Sequence, residues 1–219
     1  MLTVPEASEK IINRSRYLSE AISKGIINIS ALARYIKPEL EQILEKKISY
    51  PAIVMALNRL SDTIKPKYVV SNIFRSTPDM ILRSNLMEIN ISHSETLSEK
   101  YPLLLKLSKT SEKYFFAITD GVFETTIIIS KNLKDKVKNA LKDENIVAEF
   151  DNLSSITIRL PKEAITTPGI FYFFLKSLAW EGINIIEIVS AYLELTIIFS
   201  EKDTNRAFSI LQSLFVNPV

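Results

Sequence analysis

Few residues in this chain could support acid–base or metal chemistry. It has no cysteine and one histidine, His93, so it offers no thiolate nucleophile, no His-rich metal site and no Ser-His-Asp triad. Glu187 and Glu194 fall on adjacent predicted strands. Two carboxylates without a histidine, metal ligands or a phosphate-binding loop do not make an active site. The sequence therefore predicts a non-enzymatic protein without cofactor or metal, with His93 on the surface at a strand end.

The placement of glycine favours a binding function instead. Two of only four glycines, Gly169 and Gly182, bracket the apolar run in TTPGIFYFFLKSLAWEGINIIEI. Pro168 suits the first turn of a helix, and a glycine beside it lets a partner approach the backbone closely. A helix N-terminus with free N–H groups is a natural seat for a carboxylate. Taken alone, the two glycines are explained equally well by the need to turn the chain.

Composition limits the class of protein. The 219 residues are 47% hydrophobic and 24% charged, as in soluble globular domains. No apolar run approaches the roughly 20 residues of a membrane span, and no signal peptide is visible at the N-terminus. We therefore expect a cytosolic (cytoplasmic) protein with no membrane partner.

Charge is unevenly distributed along the chain. The net charge is +2, but residues 1–83 contain 13 Lys/Arg against 8 Asp/Glu. This asymmetry indicates an anionic partner for the N-terminal part.

The N-terminal region, residues 1–65, is predicted to be a domain of three to four helices. Residues 6–24 form the first, and Gly25 ends it. Ser30 caps a short second helix, Lys37-Pro38 breaks it, and Pro38 opens a third. Ser49 caps the last helix, whose apolar residues recur at helical spacing and predict one buried stripe: Ile53, Ala56, Leu57, Leu60 and Ile64.

Short helices joined by tight turns in a basic segment are typical of a helix-turn-helix domain, in which the last helix would be the recognition helix that contacts DNA. Asparagine and arginine are the residue types that read adenine and guanine, and lysines meet phosphates. The predicted DNA-contacting residues are Lys46, Lys47, Ser49, Tyr50, Asn58 and Arg59, with Lys65 and Lys67 placed to meet phosphates. The alternative is a small helical bundle that binds protein or nothing.

After a predicted linker at 66–85 the pattern becomes α+β. Residues 86–152 read as strand, helix, two strands, helix and strand, with a hairpin turn at Asp120-Gly121. Residues 153–219 repeat this βαββαβ order but lack most of the last strand. The sequence predicts two ferredoxin-like units of about 65 residues, each with both helices on one sheet face.

The second unit closely resembles the ACT domain, in particular the regulatory domain of the aspartokinase type. The residues that carry the resemblance are Pro168-Gly169, Leu178-Ala179, Gly182-Ile183-Asn184-Ile185, Ser190, Glu194, Asp203 and Arg206-Ala207. The unit at 86–152 matches only in element order, so it resembles a degenerate ACT unit. At this length we expect no amino-acid kinase domain beside the two units.

The resemblance implies an amino-acid effector bound at the seam between paired units. The matching positions are Thr167, Pro168, Gly169, Ile170, Asn184 and Ile185. It also implies a homo-oligomer. In the helix after Gly169, the residues predicted to form the core stripe are Ile170, Phe171, Phe174, Leu175 and Leu178, and Phe173 and Trp180 are predicted to lie off it. Aromatic residues on both faces of this helix are in line with self-association. The leading hypothesis is an amino-acid-sensing transcriptional regulator that binds DNA through its N-terminal helices. The alternatives are a regulatory subunit or oligomerisation module docking on an amino-acid biosynthetic enzyme, and a purely structural pairing module.

Overall fold

The computed structural model describes residues 2–64, 73–74, 76–108 and 114–216. The chain separates into two compact units, Met1–Val69 and Val70–Val219. We call them the helical unit and the sheet unit.

Four helices form the described part of the helical unit: α1 (Val4–Arg14), α2 (Arg16–Ser23), α3 (Ile29–Leu44) and α4 (Tyr50–Thr63). A capping box between Thr3 and Glu6 starts α1, because each residue satisfies a backbone N–H that the helix leaves free. The single helix predicted over 6–24 is in fact two. Ser15 has extended backbone angles at the junction and its N–H bonds the Ile12 carbonyl.

The predicted break at Pro38 was wrong, because α3 runs through this proline. Buried residues before and after it (Leu32, Ala33, Ile36 and Leu40) form one stripe, so packing outweighs the roughly 3 kcal/mol that an interior proline costs. The start was also misplaced by two residues. Asn28, rather than Ser30, caps α3 by accepting a hydrogen bond from the Ala31 N–H.

The predicted stripe of α4 lies in the core of the helical unit, with Ile53 and Leu57 fully buried. Tyr50 joins α4 to α3, since its hydroxyl donates to the Ser30 carbonyl at 2.9 Å. Side-chain packing between helices, rather than helix propensity, therefore holds this unit together.

The described residues of the sheet unit form one antiparallel six-stranded sheet in the order β2-β3-β1-β4-β6-β5. The predicted α+β class is confirmed. The strands are β1 (Met80–Ser92), β2 (Phe116–Asp120), β3 (Glu124–Ser130), β4 (Ile146–Arg159), β5 (Ile185–Ala191) and β6 (Glu194–Ser200), and the helices are α5 (Leu97–Ser108), α6 (Lys134–Ala140), α7 (Ile170–Trp180) and α8 (Thr204–Val216).

The two halves of the sheet share their central strands. The strands predicted to close one half at 146–152 and to open the other at 153–160 are a single strand, β4. Both β1 and β4 change register near their middle, at Asn85 (φ 58°) and Asn152 (φ 57°). Asparagine tolerates this left-handed conformation better than most residues. Each bulge shifts the alternation of side chains along its strand by one residue. The apolar side chains on either side of the bulge can therefore both face the helices that cover their half of the sheet.

The strand that the C-terminal half seemed to lack is supplied from earlier in the chain. Residues Met80 to Arg83 pair with Ile158 to Ser155 of β4. Residues 80–85, predicted as linker, are thus strand. The C-terminal half obtains four strand segments in the order β1-β4-β6-β5, which mirrors β4-β1-β3-β2 in the other half.

The four α-helices described in the sheet unit lie on one face of the sheet. Met87, Ile89 and Ile91 pack there with residues of α5 and α6, and Ile156 and Ile158 pack with residues of α7 and α8. The opposite face carries a smaller buried cluster of Leu86, Ile128, Leu153 and Ile198. Four aromatic rings reinforce the α7–α8 side, with Phe74 4.9 Å from Phe215 and 6.0 Å from Phe174 between ring centroids.

Candidate functional site

The loop before α7 leaves the start of this helix open. Gly169 occupies the N-cap position in the left-handed conformation (φ 89°), and no side chain caps the helix. The first N–H groups of a helix have no partner within the helix, so those of Ile170 and the next two residues remain available. Thr167 is used locally, since its hydroxyl donates to the Glu163 carbonyl at 2.7 Å. The arrangement provides donors and a partial positive charge suited to a carboxylate.

Gly182 ends α7 with paired backbone hydrogen bonds. The Ile183 N–H donates to the Leu178 carbonyl and the Gly182 N–H to the Ala179 carbonyl, both at 3.0 Å. This Schellman motif needs a residue with positive φ, and Gly182 has φ 70°. Gly182 is therefore needed to end α7 and turn the chain, the structural explanation that the sequence left open. Asn184 lies exposed just before β5.

The structure separates the six predicted ligand-binding residues into two groups. Thr167–Ile170 lies at the N-terminus of α7, and Asn184 and Ile185 follow its C-terminus. A helix of this length separates its ends by about 15 Å at 1.5 Å per residue. In addition, β5 is the outermost strand, far from the β1–β4 seam within the chain. One chain therefore does not bring the two groups together.

The side chains of α7 divide differently from the prediction. Ile170, Phe174 and Leu178 form the core stripe as expected. Phe171, predicted to be core, is 43% exposed, whereas Phe173, predicted to lie off the stripe, packs against the core and stacks on Phe74 at 6.4 Å. Trp180 is 84% exposed, as its predicted outward position requires.

The corresponding loop of the N-terminal half is closed by its own side chains. The Ser94 hydroxyl accepts from the Leu97 N–H at 3.0 Å and donates to the Glu144 carboxylate at 2.5 Å, which Thr96 also contacts at 2.9 Å. These contacts cap the start of α5. Of these two loops, the one before α7 therefore leaves its helix start uncapped. The sequence signal for the cap of α5 was Ser94, a serine three residues before Leu97.

The single histidine lies in a polar cluster at the end of β1, where it was expected. His93 Nε2 is 3.0 Å from the Asp120 carboxylate, and both side chains are exposed. Hydrogen bonds from Thr125, and then from Tyr101 and His93, hold the pKa of Asp120 below its ordinary value. The cluster fastens the β2–β3 hairpin to β1.

Glu88 was not singled out in the sequence, and it is the most deeply buried carboxylate of the sheet. It is 4% exposed on the sheet face opposite the helices. Burial raises the pKa of Glu88, the amide of Asn90 opposes this by donating to Oε1 at 2.8 Å, and Glu187 adds to the increase. Its Oε2 has no partner within the described structure. Glu187 and Glu194 lie near opposite ends of the β5–β6 hairpin and form no paired acid.

The residues that the structure describes contain no group of three His, Cys, Asp or Glu side chains suited to a metal ion. The described helices include none that is both long and apolar enough to cross a membrane.

The residues predicted to contact DNA divide into an exposed set and one structural residue. Lys46, Lys47 and Ser49 lie exposed in the turn between α3 and α4, and Asn58 and Arg59 lie exposed on α4. Tyr50, predicted to face outward, is half-buried and holds α4 to α3. Lys65 and Lys67 lie outside the described residues.

No protein-family model and no curated protein matches the chain. Its fold is similar to solved structures of aspartate kinases. The regulatory subunit of aspartate kinase from Thermus thermophilus, in its ligand-free form, superposes with a TM-score of 0.51 at 15% identity and covers 64% of this chain and 99% of its own.

Two further structures show the same likeness. Aspartokinase alpha and beta subunits give a TM-score of 0.51 at 14% identity, covering 65% of this chain and 100% of that one. The aspartate kinase of Clostridium acetobutylicum, described as an allosteric enzyme, gives 0.53 at 15% identity, covering 65% and 35%. At these identities the similarity concerns the fold alone.

Proposed function

We propose that this is a non-enzymatic regulatory protein that senses an amino acid through two ACT-type units sharing β1 and β4. The observation that carries the proposal is the uncapped start of α7, opened by Gly169 in a fold otherwise found in a regulatory subunit of aspartate kinase. Backbone N–H groups there suit the α-carboxylate of an amino acid.

A complete site of the predicted kind requires two chains. Thr167, Pro168, Gly169 and Ile170 would come from one copy, and Asn184 and Ile185 from the other, because α7 keeps them apart within one chain. The outer edge of β5 pairs with no described strand, and an open edge can accept a neighbour. The functional form is accordingly a homodimer or a larger homo-oligomer.

Thermal unfolding of the full chain in the presence of each of the twenty L-amino acids tests the sensing role. At least one should raise Tm at millimolar concentration, because a ligand that binds only the folded state stabilises it. Gly169→Ala should abolish the increase in Tm, since its methyl group would occupy the open space at the start of α7 in which the ligand carboxylate is proposed to lie. Gly25→Ala is the matched control, because Gly25 has a similar positive φ (66°) and equally open surroundings in the helical unit. A flat panel would refute amino-acid sensing.

The helical unit is proposed to bind DNA. An exposed turn with two lysines, followed by a helix that exposes Asn58 and Arg59, supports this role. Duplex binding at low salt should weaken steeply as salt rises, and Lys46→Gln with Lys47→Gln should weaken it without altering Tm. No binding at low salt would eliminate DNA as the partner.

That negative result would favour the second candidate, a regulatory subunit docking on an amino-acid biosynthetic enzyme. The observation that favours this candidate is that the match covers 99% of a separate regulatory subunit of aspartate kinase, that of Thermus thermophilus.

A further inference from the structure

The outward face of α4 combines an apolar side chain with polar ones. Five exposed residues recur at helical spacing on the side opposite the buried stripe: Pro51, Met55, Asn58, Arg59 and Asp62. Met55 lies in the middle of this face, and it is 57% exposed. Residues three and four apart are neighbours on a helix surface, so Met55 adjoins both Asn58 and Arg59.

The polar side chains beside Met55 keep their own hydrogen-bonding groups. The Ser61 hydroxyl donates to the backbone carbonyl of Asn58 at 2.7 Å. The Thr63 hydroxyl donates to the backbone carbonyl of Arg59 at 3.3 Å. Within the described residues, the amide of Asn58 and the guanidinium of Arg59 therefore remain available to a partner. These two groups suit the edges of adenine and guanine, and an apolar side chain in the same row suits the C5-methyl group of thymine.

Charge differs between the two ends of α4. The preceding turn carries the exposed Lys46 and Lys47, and the exposed Arg34 donates to the Tyr50 hydroxyl at 3.4 Å, beside the first turn of the helix. The other end carries the exposed Asp62. Phosphates attract the basic end and repel the acidic one. The first half and the middle of α4 are therefore the part of the helix that is suited to approach a duplex.

We propose that Met55 selects thymine, through contact with its C5-methyl group in the major groove. The inference rests on the proposed binding of DNA by the helical unit. Residues 55–59 span about 6 Å along the helix axis at 1.5 Å per residue, and successive base pairs are about 3.4 Å apart. The selected thymine therefore lies within about two base pairs of the adenine or guanine that Asn58 and Arg59 contact.

Selection of duplexes from a random pool by the full chain at low salt provides the site for the test. The selected sequences should share a thymine next to an adenine or guanine. Replacing this thymine by deoxyuridine removes one methyl group and changes nothing else in the duplex. The replacement should weaken binding about fourfold, the value expected for one buried methyl group.

Variants of α4 assign the effect to one side chain. Met55→Ala should bind the thymine and deoxyuridine duplexes equally, whereas Met55→Leu, which keeps an apolar side chain, should still prefer thymine. Asp62→Asn is the matched control on the same face. It should tighten binding to both duplexes and leave the ratio of their affinities unchanged, because attraction to phosphates carries no base information. Neither change at Met55 should lower Tm by much, since this side chain is exposed.

The outcomes distinguish the role of Met55 from DNA binding itself. No duplex binding at low salt would overturn both. Selected duplexes without a shared thymine, equal affinity of the wild type for the thymine and deoxyuridine duplexes, or a preference for thymine that survives Met55→Ala would overturn the role of Met55 and leave DNA binding by the helical unit intact.

Discussion

The strand segment Met80–Arg83 should be essential to the C-terminal half of the sheet, and a pair of proline substitutions isolates its contribution. The Arg159 N–H bonds the Asp79 carbonyl, and hydrogen-bonded pairs alternate along an antiparallel ladder. The Ile81–Thr157 pair is therefore hydrogen-bonded, whereas the N–H of Leu82 faces outward. Ile81→Pro removes a ladder bond, and Leu82→Pro does not.

The expected loss for Ile81→Pro is about 2–4 kcal/mol. This combines roughly 1 kcal/mol for the hydrogen bond with about 1–3 kcal/mol for leaving the Thr157 carbonyl without a partner. Side-chain burial contributes little to the comparison, because Ile81 is 53% exposed and Leu82 40%. Leu82→Pro should accordingly cost about 2 kcal/mol less, given the intact ladder bond.

Urea unfolding of both variants, followed by far-ultraviolet circular dichroism, measures the difference through the transition midpoint at constant slope. Equal midpoints for the two variants would refute the reasoning. They would show that residues 80–83 are not hydrogen-bonded to β4 in this register.

Three further predictions concern the cores and the buried acid. Phe174→Ala should destabilise the sheet unit by about 3–5 kcal/mol in urea, because the ring is fully buried; a loss under about 1 kcal/mol would contradict this packing. Glu88→Gln should stabilise the protein at neutral pH and lose this advantage below about pH 4, because the folded-state pKa of Glu88 is raised and ionisation above the unfolded value costs stability. The exposed Glu194→Gln is its control, and an advantage independent of pH would contradict the role of ionisation. Tyr50→Phe should cost about 1 kcal/mol in thermal unfolding through the lost bond to Ser30, whereas the same change at exposed Tyr35 should cost almost nothing.

Local pattern predicted most elements but not how the strands are shared. Periodicity and turn residues correctly placed the hairpin at Asp120 and the helix between Gly169 and Gly182, since both depend on nearby residues. The sharing of β1 and β4 depends on contacts between distant segments, which periodicity does not reveal. The sequence does contain a signal for it, because SNL at 84–86 and DNL at 151–153 repeat around the two bulges, and ETTIIIS and ELTIIFS repeat in β3 and β6.

The candidate site was predictable in its parts and not in its geometry. The role of Gly169 as an opening residue follows from its neighbours, and its positive φ agrees. The separation of Thr167–Ile170 from Asn184 follows from strand order, which places β5 at the sheet edge. Pro38 and Tyr50 were misread for the same reason, because packing between helices decides both.

The central claim, that an amino acid binds between Thr167–Ile170 of one chain and Asn184 of another, is tested most directly by complementation. Gly169→Ala and Asn184→Ala should each abolish binding of the amino acid that stabilises the wild type. After mixing, unfolding and refolding the two variants together, mixed dimers should contain one intact site and recover binding at half the wild-type stoichiometry per dimer. Binding by either variant alone, or no recovery in mixed dimers verified by mass, would contradict a site shared between chains.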